Sequence, residues 1–368
     1  MAMKIWKIGI IGCGNLAETV YIPQMAQIEN ARITAVCDNN AQRAKEIAER
    51  FSIPDWYDSV DRLLAESNVE ICMSVASIIG RHEINMKVLN AGKHLYSQKP
   101  FAPDVKSATE QIGAARKNGV VLSTAPVHRN RPEIRLAAKM IREGMIGHPS
   151  LIKMDVSHGG PEYYQYRDSD PSWFYKKGAG ALLDLGVHAI DQEVALIGPV
   201  KALSCMAAVS EPVRTIRSGA LDGKKFECGE LPDNYLISLD FGGGTLGLIN
   251  TGFVEKASPN PSAGIEIYGD KGTIVIDGGI GYEGIAKVHV YVDKPEEGLR
   301  GWIEPEPISE KPQTEYFQAQ VISDLIDAVE NNHAPRLSPE HARHVIDVLD
   351  AVERSAETGA RVEVTTTL

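Results

Sequence analysis

Five short apolar runs dominate the first third of the chain: "KIGIIG", "ARITAVCD", "VEICMSVA", "KHLYSQKP" and "GVVLSTAP". Between them lie helical stretches, "AQRAKEIAERF", "SVDRLLAES", "HEINMKVLNAG" and "DVKSATEQIGAARKNG". Strands that are apolar throughout and alternate with amphipathic helices belong to a parallel sheet covered on both faces. The pattern predicts an α/β, doubly wound parallel domain over residues 1–126. Beyond it, "ALSCMAAV", "NYLISLDF", "GTLGLINTGF", "AGIEIYGDKGTIVID" and "AKVHVYVD" follow one another with glycine-rich turns and no helices between. Residues 127–368 are therefore expected to form an α+β domain on a large, open mixed or antiparallel sheet. A final helical pair closes the chain, the second helix opened by Ser338 as N-cap and stopped at Gly359.

At 368 residues and 43% hydrophobic content, the chain can bury a substantial core in two domains. A formal net charge of -11 argues against non-specific binding to nucleic acid or anionic membrane, because both need a basic surface. A small-molecule partner is expected instead. Cys13, Cys37, Cys72, Cys205 and Cys228 are odd in number and lack CxxC spacing, which disfavours a disulfide framework and a zinc ribbon. The opening "MAMKIWKIGIIG" enters a strand pattern with no cleavage site and no membrane-length apolar run, so a cytoplasmic location is expected.

"GIIGCGNLAE" places Gly12 and Gly14 after the first strand, with Asn15 and Leu16 in the same turn and Ala17 at the third position of G-x-G-x-x-G/A. Such a turn lets backbone N–H groups approach a pyrophosphate at a helix N-terminus. The second strand then ends at Asp38, where a carboxylate binds ribose hydroxyls and repels a 2'-phosphate, favouring NAD over NADP. Arg43 is the one nearby cation that could offset this preference. Lys99, in "YSQKP", follows the fourth apolar run and so falls at the carboxyl end of the sheet, where open α/β folds bind ligands.

"GAGALLDLGVHAID" is apolar almost throughout, yet Asp184 and His188 stand four apart, on one face of a helix. They read as a general acid/base pair, as a satisfied surface pair, or as two metal ligands for which His158 is the nearest third. No metal is the favoured reading.

The chain resembles the glucose-fructose oxidoreductase, inositol dehydrogenase and rhizopine-catabolism group, the Gfo/Idh/MocA oxidoreductases. Four pieces in order carry the resemblance: "GIIGCGNLAE", "HEINMKVLNAGKHLYSQKP", "GAGALLDLGVHAID" and "IEIYGDKGTIVID". It implies that Lys99, Asp184 and His188 are catalytic, with Lys99 at the reacting oxygen, His188 as acid/base and Asp184 orienting the imidazole or gripping a hydroxyl. Lys99 as base is the alternative, since Gln98 stands where the family pattern has glutamate. It also places Ala76, Ser77, His82, Gln98 and Lys99 near the cofactor, His82 otherwise serving a helix start. His128, Arg129, Tyr166 and Trp173, with Lys99, Asp184 and His188, are expected on the substrate side. The implied activity is NAD-dependent oxidation of a sugar or glycoside ring hydroxyl, with C3 preferred. A cyclitol dehydrogenase and a non-catalytic sugar sensor are the alternatives. An open sheet face further implies a homodimer or homotetramer.

Overall fold

The computed structural model describes residues 3–164, 170–217, 219–257, 264–278, 285–305 and 318–368. The chain divides into two compact units, Met1–Asn130 with Tyr316–Ile346 and Arg131–Glu315 with Asp347–Leu368.

In the first unit, strands β1 (Trp6–Ile11), β2 (Ala31–Cys37), β3 (Asp55–Tyr57), β4 (Ile71–Ser74), β5 (His94–Ser97) and β6 (Leu122–Thr124) form one sheet in the order β3-β2-β1-β4-β5-β6. Every pairing is parallel. The five runs read from sequence are strands, and β3 is a sixth that sequence reading passed over, a three-residue edge strand with two exposed positions. A short helix, α1 (Ile22–Met25), follows β1; α2 (Ala41–Phe51), α3 (Val60–Glu66), α4 (Arg81–Asn90) and α5 (Val105–Lys117) connect the later strands. Asn40, Ser59 and Asp104 cap α2, α3 and α5 by accepting the backbone N–H groups of Arg43, Arg62 and Ser107, which ends each preceding turn at a defined residue. The order of the strands reverses at β1 and β4, which is where ligands bind in open α/β sheets.

The chain returns to this unit with α9 (Val321–Glu330) and the start of α10 (Pro339–Thr358). Val321, Ile322, Leu325 and Ile326 of α9 share a core with Ile8, Ile10, Tyr21 and Met25. Trp6 Nε1 donates to Glu330 Oε1 at 2.8 Å, and Thr124 N–H donates to Leu337 O at 3.0 Å. A division placed at residue 126 leaves this return out, because nothing local in the sequence marks which sheet a distant helix covers.

The second unit holds α6 (Pro132–Arg142), β7 (Pro149–Ser157), α7 (Pro161–Tyr164), α8 (Val187–Ile197), β8 (Ala202–Ala208), a hairpin of β9 (Val213–Thr215) and β10 (Lys225–Glu227), β11 (Asn234–Gly242) and β12 (Thr245–Gly252). Strands β13 (Ile265–Gly269), β14 (Gly272–Asp277), β15 (Lys287–Lys294), β16 (Leu299–Ile303) and β17 (Val362–Glu363) complete it. Nine strands form a sheet in the order β16-β15-β14-β13-β7-β12-β11-β8-β17. It is mixed, since β7 and β12 run parallel while the other pairings are antiparallel. Alternation sorts its faces: Ile237, Leu239, Ile249, Ile267 and Ile274 are buried, whereas Met206, Leu236, Leu246, Leu248 and Trp302 are exposed. All five cysteines are free and buried.

Candidate active site

Gly12 leaves β1 with φ of +98°, and a Cβ there would lie 2.6 Å from the backbone nitrogen of Ala76, so only glycine lets β1 and β4 end this close together. Gly14 and Asn15 are exposed, Leu16 is half-buried, and space around Gly14 is open. The helix that sequence reading placed here begins as a π-helical turn, Ala17–Tyr21, before α1. Asp38, 7% exposed, accepts Cys13 N–H on Oδ2 and Asn40 N–H on Oδ1, both at 2.9 Å, while Arg43 Nη1 stands 3.6 Å from Oδ2. An open glycine turn beside a carboxylate held at the end of the second strand fits the pyrophosphate and ribose of a dinucleotide.

Lys99 follows β5 and is half-buried. Its loop is fixed through Gln98: the Gln98 N–H donates to Ser74 O at 2.9 Å, Gln98 Oε1 accepts Lys99 N–H at 2.7 Å, and Nε2 donates to Tyr21 Oη at 3.0 Å. Tyr21 and Tyr96 share a hydroxyl hydrogen bond at 2.8 Å, and burial pushes the Tyr21 phenol up to about 12. Arg81, at the start of α4, donates to the carbonyls of Ala76, Gln98, Lys99 and Pro100. Sequence reading singled out its neighbour His82, and it missed Arg81 because bonds to carbonyls leave no signature in residue types. His82 Nδ1 pairs with Gln111 Nε2 at 3.2 Å and Nε2 lies 3.5 Å from Glu110. Ala76 is half-buried and Ser77 exposed, its hydroxyl donating to Ile79 O at 3.2 Å. His128 is half-buried, and Arg129 is buried, with Nη2 donating to Ser338 O at 3.2 Å.

In the second unit, Leu182–Gly186 form a π-helical turn that runs into α8, in place of the uniform α-helix expected. Such widened turns recur at functional sites. Leu182, Leu185, Gly186, Val187, Ala189 and Ile190 are buried, while Leu183, Asp184 and His188 are half-buried. The acid and imidazole thus lie on the one partly open stripe of a helix that is otherwise core. His158 stacks on Phe253 at 5.1 Å and accepts Gly160 N–H on Nδ1 at 2.9 Å, which assigns its proton to Nε2. Burial draws its pKa down against the opposing charge of Asp184. Trp173 is 45% exposed and stacks on Phe174; Tyr166 lies outside the described residues. Among the described residues no group of three or more His, Cys, Asp or Glu could hold a metal ion.

Sequence reading also missed Arg214, buried in β9. Its Nη1 donates to Glu162 Oε1 at 2.8 Å and its Nη2 to Asp233 Oδ2 at 2.7 Å, with Tyr175 Oη on Glu162 Oε2 at 2.5 Å. This network closes the loop that follows His158.

Lys99 belongs to the first unit, and Asp184 and His188 to the second. The parallel sheet of the first unit, with its glycine turn after β1 and the carboxylate at the end of β2, defines a dinucleotide-binding class of fold. Residues 6–125 match the oxidoreductase family model for the NAD-binding Rossmann fold, and residues 134–275 match the GFO/IDH/MocA C-terminal domain. The chain belongs to the Gfo/Idh/MocA oxidoreductase family. It is 22% identical over 366 residues to D-glucoside 3-dehydrogenase of Escherichia coli, across 97% of each chain. It is 23% identical over 271 residues to myo-inositol 2-dehydrogenase of Thermotoga maritima, across 74% of this chain and 75% of the relative. Among solved structures, an oxidoreductase from Agrobacterium radiobacter in complex with NAD+, L-tartaric acid and magnesium matches with a TM-score of 0.79 at 18% identity, over 98% of each chain. No helix among the described residues is long and apolar enough to cross a membrane.

Proposed function

We propose that the chain oxidises a ring secondary alcohol of an unphosphorylated sugar or glycoside, at C3, to give a 3-keto sugar. The observation that carries this reading is the second unit's helix, whose half-buried stripe presents Asp184 and His188 from an otherwise buried element. Alcohol oxidation sheds a hydride and a proton. NAD, which Asp38 and the turn at Gly12 and Gly14 would hold, would supply the hydride acceptor. His188 takes the proton, for which an imidazole has a suitable pKa. Lys99 donates a hydrogen bond to the reacting oxygen and steadies the developing alkoxide, and Asp184 orients the imidazole or grips a neighbouring hydroxyl. Gln98 brings no negative charge to the Lys99 loop, which favours the uncharged amine and makes Lys99 the alternative base. The exposed ring of Trp173 supports a pyranose face or an aglycone.

The full-length likeness to a glucoside 3-dehydrogenase supports C3, and the likeness to an inositol dehydrogenase supports a cyclitol as second reading. A sugar sensor without turnover is the reading from another class, and the presence of Lys99, Asp184 and His188 argues against it. The deciding experiment follows absorbance at 340 nm with NAD and a panel of sugars, glycosides and inositols, with mass detection of keto products in case the cofactor recycles. Glycoside turnover with a 3-keto product is expected. Turnover confined to inositols selects the cyclitol reading, and NAD and sugar binding without product selects the sensor.

A second copy of the chain is the proposed cover for the open sheet face. Met206 pairs in register with Leu236, and Leu246 and Leu248 lie on the adjoining strand, giving an apolar patch of a kind buried in oligomers. Light scattering should show a dimer or tetramer that Leu248→Lys dissociates; a monomeric wild type would end this proposal.

A further inference from the structure

Arg81 is 5% exposed, and among the described residues no carboxylate pairs with it. Its fork is spent on backbone carbonyls. Nε and Nη2 both reach Ala76 O, the former at 3.2 Å, and Nη1 faces Gln98 O at 3.1 Å, Lys99 O at 2.9 Å and Pro100 O at 2.6 Å. Burial lowers its pKa to about 10, so the guanidinium is charged at neutral pH. A buried cation without a counter-charge is costly, and hydrogen bonds from it to carbonyls recover part of that cost. The bonds are also selective in place. One end of the fork holds Ala76, which follows β4 and packs over Gly12; the other holds three consecutive carbonyls of the Lys99 loop, which follows β5. Gly80, with φ of +80°, turns the chain so that Arg81 opens α4 between these two loops. An ammonium on a flexible stem lacks the planar spread needed to serve both.

We infer that Arg81 is a positioning residue for the reaction: it ties the Lys99 loop to the Ala76 turn, so that the Lys99 amine keeps a fixed place relative to the cofactor-binding backbone. The inference rests on the reading of Lys99 as the amine at the reacting oxygen. Misplacing a reacting group by about 1 Å can cost on the order of a hundredfold in rate. The charge also makes the tie selective for a guanidinium over a neutral amide.

The test compares wild type with Arg81→Lys and Arg81→Ala by three readouts: NAD affinity from fluorescence titration, kcat and KM on the substrate that the panel identifies, and the rate at which Lys99 is modified by a lysine-directed acylating reagent, followed by peptide mass. For folded Arg81→Lys the expected result is a kcat lower by about 30- to 100-fold, a substrate KM within about threefold of wild type, and a Lys99 labelling rate changed by at least about threefold. Millimolar guanidinium should restore part of the kcat and the wild-type labelling rate in Arg81→Ala. Unchanged kcat and labelling in Arg81→Lys would overturn the inference. So would its failure to fold, which would make Arg81 a residue of the fold rather than of the site. If no panel compound turns over, the sugar reading fails by itself; the labelling rate, NAD affinity and guanidinium rescue still decide the role of Arg81.

Discussion

Two sites of buried charge, one in each unit, are built in opposite ways. In the first, Asp38 accepts the N–H groups of Cys13 and Asn40, with the half-exposed Arg43 3.6 Å away, and Arg81 donates to four carbonyls, so backbone supplies the hydrogen bonds of each ion. In the second, Arg214 meets the carboxylates of Glu162 and Asp233, and the charges neutralise one another. Backbone dipoles satisfy an ion's hydrogen bonds without cancelling its charge, which leaves that charge available to a ligand or to a loop that must be placed. A cluster of opposed charges spends itself on joining distant segments. Here it links β9 to α7 and to the residue preceding β11.

That contrast breaks most visibly at Arg214. Arg214→Met strands two buried carboxylates, a loss of about 3–5 kcal/mol. Calorimetry should record a fall in the second unit's melting temperature of roughly 10 °C, while NAD affinity is kept. A fall under about 2 °C would show that the network does not staple the unit.

A smaller effect is expected at Asp38, the carboxylate proposed to meet the ribose, with Arg43 Nη1 3.6 Å from it. Asp38→Ala should weaken NAD and, with Arg43 nearby, relatively strengthen NADP, shifting the ratio of their dissociation constants by about tenfold or more toward NADP. An unchanged ratio would remove Asp38 from the ribose site. Stability should change little beside the effect at Arg214.

The smallest effect is expected at Glu193, which fits neither pattern. It is fully buried on α8, its oxygens find no hydrogen-bond partner among the described residues, and burial raises its pKa well above the ordinary carboxylate range. Because the folded state holds this proton more tightly than the unfolded chain, Glu193 costs stability as pH rises above the unfolded carboxylate's pKa. Glu193→Gln should therefore melt close to wild type near pH 4 and a few degrees higher at pH 8. A gain equal at both pH values would mean that the carboxyl is not the titrating group.

Local chemistry was the legible part of this molecule. The glycine turn, Asp38 and five of the six parallel strands, each inside a continuous apolar run, are written in a few adjacent residues, as is the acid-imidazole stripe. Edges were not: β3, β9, β10, β16 and β17 are two to five residues long, too short for an alternating pattern to stand out. The π-helical turn under Asp184 was also hidden, since a four-residue spacing keeps two side chains on nearly one face in either winding. Arg81 and Arg214 lay beyond sequence reading for different reasons. The partners of Arg81 are carbonyls, which every residue has, and Arg214 meets carboxylates 19 and 52 positions away. The return of the chain through α9 was equally invisible, because an amphipathic helix states that it will be buried and not against which sheet.

The half-buried stripe of the second unit is proposed to carry proton transfer for oxidation of a sugar hydroxyl. Its most direct test is single-turnover NADH formation by His188→Ala on the best substrate of the panel, with NAD affinity measured on the same preparation. A rate lower by about 10²- to 10⁴-fold, at an NAD dissociation constant within about threefold of wild type, is the predicted result. Wild-type NADH formation by His188→Ala would contradict the account and transfer the proton to another group, with Lys99 the first to examine.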